Sequence, residues 1–151
     1  MNLDHYQFKL RSDYHEYEFY SDGPIGRIRK IVRFGFVKSR DIPFYNLAFG
    51  DWMDGTNYLD DTTVSNNGDK IKVLSTIATI VLYFTGCNPN AIIYAEGSTP
   101  ARTRLYQMGI NQLWSEVKMV FQVYGVKSDG ILEPFRKNEN YHGFYARRIH
   151  R

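Results

Sequence analysis

Two short polar segments carry residue types suited to holding an anion. The first, Ser65-Asn66-Asn67-Gly68, is followed by Asp69, Lys70 and Lys72 and runs into a long apolar stretch. If that stretch is a helix, its first backbone N–H groups are unpaired and carry a partial positive charge, which suits a phosphate. Gly68 lets the backbone approach closely, and Lys70 and Lys72 add charge. Asp69 competes, because a carboxylate at the N-cap satisfies the same donors. The second segment, Gly97-Ser98-Thr99-Pro100-Ala101-Arg102-Thr103-Arg104, offers a small loop, hydroxyls and two arginines at the start of another helix. Residues two apart on a helix diverge, so Arg102 and Arg104 cannot both face one ligand. The expected contacts are Asn67, Gly68, Lys70 and Lys72 from the first segment, and Ser98 and Arg102 from the second. An ion pair of Arg102 with Glu96 or Asp51 is the competing use.

Other constellations are weaker. Asp54, Asp60 and Asp61 cluster, but their spacing lacks the alternating donors and later Glu of a calcium loop, so a solvated turn is expected and no metal. His5, His15, His142 and His150 are scattered, Cys87 stands alone, and no nucleophile lies beside a base in a recognisable motif. Arg27, Arg29 and Arg33 alternate along one strand, opposite an apolar face of Ile28, Val32, Phe34 and Phe36. Cross-strand pairing with Glu16 and Glu18 is their ordinary use. The alternative function is a non-catalytic module that binds protein or nucleic acid through this basic strand face.

These residues need a frame to position them. A chain of 151 residues, 43% hydrophobic and 23% charged, suffices for one domain, 1–151, with its own core. The charge of +3 is too mild to demand a nucleic-acid partner. The single cysteine and the lack of a signal-like N-terminus point to the cytoplasm, and the run Ile77 to Phe84 is too short to span a bilayer.

Runs from Tyr14 to Tyr20 and from Arg27 to Val37 flank the turn residues Asp22-Gly23-Pro24, which predicts a hairpin. FYNLAFGDWMDG predicts a further strand broken at Gly50-Asp51. From Asp69 the apolar period becomes helical and stops at Gly86. A strand over Ala91 to Ala95 follows, then a helix capped by Thr99 with Pro100 in its first turn, running to about Lys118. Strands over Val120 to Val126 and Tyr141 to Ile149 close the chain. The fold class is α+β, a mixed and mainly antiparallel sheet with two principal helices, one on each face.

The strings NLAFGD, SNNGD, IKVLSTIATIV and GSTPARTRLYQMGI, between Tyr45 and Ile110, resemble stretches of an uncharacterised family of short bacterial proteins, a domain of unknown function. A looser similarity is to the GNAT acyltransferases. It lies in the order loop, helix, short strand and second helix with Leu105-Tyr106 and Gly109-Ile110. This resemblance implies a GNAT-like arrangement and a phosphate-bearing ligand of the acyl-CoA or nucleotide class. It places Asn67, Gly68 and Lys70 near a coenzyme A pyrophosphate and gives Tyr106 the role of catalytic acid. The acyltransferases' Gln/Arg-x-x-Gly-x-Gly/Ala loop is absent, and no cofactor is otherwise legible.

Overall fold

The computed structural model describes residues 1–11, 15–53, 58–60 and 67–150. Tyr14, Asp54, Gly55, Asp61, Ser65 and Asn66, used in the sequence reading, lie outside them. The strands are β1 (Phe8–Leu10), β2 (Glu16–Gly23), β3 (Gly26–Val37), β4 (Phe44–Met53), β5 (Tyr58–Asp60), β6 (Ile92–Ala95), β7 (Phe121–Val126), β8 (Leu132–Pro134) and β9 (Gly143–Arg148). The helices are α1 (Lys70–Cys87), α2 (Pro100–Gln112) and α3 (Trp114–Val120). One sheet runs in the order β1-β2-β3-β4-β6-β9-β7-β8, with β5 paired to β4. The class is α+β with a mixed, mostly antiparallel sheet; β4 and β6 form its parallel pair among the described residues.

Alternation builds the sheet's inner face. Tyr17 and Phe19 of β2, Val32 and Phe34 of β3, Leu47 and Phe49 of β4 and Ile93 of β6 are all buried. Both principal helices lie on this one face, not one on each. Val73, Leu74, Ile77, Ile80 and Phe84 of α1 join Leu105 and Tyr106 of α2 in the same core cluster. The helices touch where Gly109 meets Leu74, with space for a methyl group only 3.1 Å from Leu74 Cδ2. By length and composition α1 would pass for a membrane span. Here its apolar side packs on the sheet.

Other boundaries shift for local reasons. The β2–β3 turn sits at Pro24-Ile25 and closes with Gly26 at φ 108°, a conformation that suits glycine. Strand β4 runs unbroken through Gly50-Asp51, because Gly50 pairs with Ile31 and Asp51 with Lys30. Gly86 lies inside α1, which ends at Cys87 with Asn88 donating to the Phe84 carbonyl. The second predicted helix divides at Leu113 into α2 and α3.

The apolar face of β3 also carries Lys30, buried and 2.5 Å from Asp51 Oδ1. On the opposite face, Arg29 Nε donates to Glu18 at 2.8 Å and Arg33 Nε to Glu16 at 2.6 Å. Lys9 joins Glu18 at 2.9 Å, and Arg27 lies over the Tyr20 ring at 4.0 Å. Register sets these pairs, with Glu16 directly opposite Arg33 and Glu18 directly opposite Lys9, while Arg29 reaches Glu18 and Arg27 reaches Tyr20 along the diagonal.

Candidate functional site

At the start of α1 the side chains of Asn67 and Asp69 are engaged within the protein. Asn67 is buried, and its Nδ2 donates to the Gly26 carbonyl at 2.9 Å and to Ser21 Oγ at 3.1 Å. Its Oδ1 accepts from the Ile25 amide at 2.8 Å, so the side chain latches the β2–β3 turn. Gly23 lets this happen, because a methyl group there would strike the Asn67 carbonyl. Gly68 has φ 75°, the left-handed conformation that brings the chain round to Asp69. Asp69 occupies the N-cap position without a side-chain capping bond. Its Oδ2 accepts from the Tyr6 hydroxyl at 2.6 Å and from Ser21 Oγ at 2.5 Å. Burial, and then this bond to a carboxylate, raises the Tyr6 pKa. Lys72 lies 4.4 Å from the Tyr6 ring centroid, and Lys70 is exposed.

The start of α2 is different. Thr99 Oγ1 caps it by accepting from the Arg102 amide at 3.2 Å, with Pro100 in the first turn. The loop before it folds tightly onto the helix: the Gly97 amide donates to Thr103 Oγ1 at 3.0 Å, and a methyl group on Gly97 would collide with the Arg102 and Thr103 backbone. Ser98 is left exposed at the tip.

Beneath this loop, part of β4 has no partner on its second edge among the described residues. One edge of β4 pairs with β3, and the other is shared: β6 takes Tyr45 to Leu47 and β5 takes Asp51 to Met53. Residues 48–50 fall between the two partners. Arg102 lies here, buried, with Nη2 donating to the Phe49 carbonyl and its guanidinium 4.9 Å from the Phe49 ring centroid. Of the two acids proposed as its partners, Asp51 takes Lys30 and Glu96 takes other groups described next. Arg104, two residues on, is exposed on another side of α2, as helical spacing requires.

Two clefts flank the loop from Glu96 to Ser98. One of about 310 Å³ is lined by Asn46, Phe49, Tyr94, Ser98, Arg102 and Tyr106 among others. The other, about 560 Å³, is lined by Ser98, Thr103, Arg104, Gln107, Asn140 and His142 among others. Gln107 fixes its far wall by donating to the Glu139 carbonyl and accepting from the Tyr141 amide at 3.4 Å. Glu96 belongs to both clefts: its Oε1 accepts from the Tyr94 hydroxyl at 2.5 Å and lies 3.6 Å from His142 Nε2. Burial, and then the bond to Glu96, pushes the Tyr94 phenol well above the usual tyrosine range. Tyr106 is buried at the cleft floor.

Residues 2–149 match a family of unknown function, DUF6934. The chain belongs to that family. No curated protein and no solved structure matches it.

The structure thus brings Ser98, Arg102 and Tyr106 to one cleft of this DUF6934 chain. Asn67, Gly68, Lys70 and Lys72 gather elsewhere, around the β2–β3 turn and Tyr6. Tyr94, Glu96 and His142 were not anticipated as a group. Tyr94 and Glu96 share one side at a strand end, a signal of period two, whereas His142 arrives through the β6–β9 pairing and has no local signal.

Proposed function

We propose that this protein binds a phosphate-bearing small molecule, of the acyl-CoA or nucleotide class, in the clefts at the carboxyl end of β6. One observation carries the reading: the clefts open beyond the end of a strand that runs parallel to its neighbour, where sheets with parallel strands place their ligands. The phosphate falls to Ser98 and Arg104, the exposed hydroxyl and guanidinium beside the start of α2. Arg102 and Tyr106 supply the floor. The order α1, β6, α2 supports the similarity to GNAT acyltransferases, but the phosphate contacts move from the first helix to the second, because Asn67 and Asp69 are engaged within the protein. On that similarity Tyr106 is the acid that gives its hydroxyl proton to a departing thiolate.

Recognition of protein or nucleic acid by the arginine face is less well supported, since Arg29 and Arg33 already face Glu18 and Glu16. The test is calorimetric titration with coenzyme A, ATP and inorganic phosphate. Binding of coenzyme A or ATP is expected, weakened at least fivefold by Arg104→Ala and less by Ser98→Ala, with melting temperature unchanged in either variant. Absence of binding by all three at millimolar concentration defeats the proposal.

A further inference from the structure

Behind Tyr106 lies a second space of a different kind. A cavity of about 120 Å³ sits between the sheet and the helices, and Tyr106 and Leu47 line both it and the smaller polar cleft. Among the described lining side chains only Tyr106 carries a hydroxyl, and apart from the Met1 sulfur the rest are hydrocarbon. A water needs two to four polar partners, which this lining does not supply, so the space suits apolar atoms. It stays open for two reasons. Small residues, Ala78, Ala95, Gly109 and Ala146, stand where larger side chains would fill it. The helices also cannot close over it, because Gly109 is already tight against Leu74.

We infer that this cavity receives a short straight acyl chain whose polar end lies in the cleft, with Tyr106 and Leu47 forming the neck between them. The inference rests on the proposed ligand site and narrows its ligand to short-chain acyl compounds. Size sets the length. An apolar cavity of about 150 Å³ accepts the six carbons of benzene, so this one takes roughly four to five. Chemistry sets the linearity, because a chain can pass between two side chains that a branched or ring-bearing group would have to displace. Leu74 and Ile77 of α1 and Val123 and Phe144 of the sheet would surround the chain and remove its methylenes from water.

The test is a chain-length series from two to eight carbons, run once as coenzyme A thioesters and once as free n-alkanoates, with binding followed by titration. Affinity is expected to rise about fourfold per methylene up to about five carbons and then to fall. Ala78→Leu on α1 and, on the opposite wall, Ala146→Val should flatten the series while leaving free coenzyme A binding unchanged. A flat series in wild-type protein for both probe sets overturns the inference whether or not the variants fold. A gradient that survives in both folded variants overturns it too. If alkanoates show the gradient and coenzyme A does not bind, the phosphate reading fails and the acyl pocket stands. If coenzyme A binds with no dependence on chain length, the reverse holds.

Discussion

The beginnings of α1 and α2 are assembled from similar materials: a glycine, small polar residues and nearby cations. Their surroundings separate them. At α1 the polar groups turn inward, with Asn67 holding the β2–β3 turn and Asp69 receiving hydroxyls from Tyr6 and Ser21. At α2 the cap is local, Thr99 to the Arg102 amide, and the loop tip stays exposed above two clefts. A helix start that looks suited to an anion becomes a structural joint when distant strands take up its polar side chains. The same motif left to cap itself keeps its surface available.

Three substitutions would break or sharpen this contrast. The largest effect is expected at Gly97→Ala, since the added methyl group meets backbone and not a flexible side-chain end. A loss of about 3 kcal/mol or more, or failure to fold, should appear in urea melts; a stable variant would mean the loop has freedom that its packing denies. Asn67→Ala comes next. It deprives the Gly26 carbonyl and the Ile25 amide, both in an exposed turn, of their buried partner and should cost about 2 kcal/mol, a fall of roughly 4–8 °C in melting temperature. Coenzyme A affinity should not change, and a large change would join the two helix starts into one site.

The smallest effect concerns pH. Burial pushes the Glu18 pKa up, but hydrogen bonds from Lys9 and Arg29 outweigh it and hold the carboxyl below its ordinary value. Its contribution is therefore present above the unfolded pKa and lost as pH falls through the folded one. Glu18→Gln should flatten stability against pH below about 4.5, measured by denaturant melts from pH 7 to 3. An unchanged acid slope would remove the ion-pair ladder as a source of stability.

What was legible in the sequence follows the range of the interactions. The β2–β3 hairpin, α1, the Thr99 cap with Pro100, and the divergence of Arg102 from Arg104 are set within a few residues, and local pattern reveals them. Strands β1, β5 and β8 have three residues each, too few for alternation to register. The side of the sheet on which a helix packs, the latch from Asn67 to Gly26, and the approach of His142 to Glu96 depend on contacts between distant positions. The arginines of β3 were legible in both of their readings, and register decided how they pair. The apolar cavity had no signature, because alanines and glycines look alike in a sequence whether they sit beside a void or against a neighbour.

The divided edge of β4 also governs how the chain assembles. Strands β1 to β5 pair with their neighbours in sequence, as do β7 and β8, whereas β9 inserts between β6 and β7, and among the described strands the two halves of the sheet are joined by three register positions between β4 and β6. That seam closes after α1 has crossed over and docked, and with the still longer-range β6–β9 pairing it carries the largest loop-closure costs in the sheet, so both belong among the last contacts formed. Amides along the seam should exchange with solvent sooner than those of the β3–β4 ladder. The cleft mouth would then be the place where the molecule first comes apart, and an occupant there would act as a rivet across its two halves.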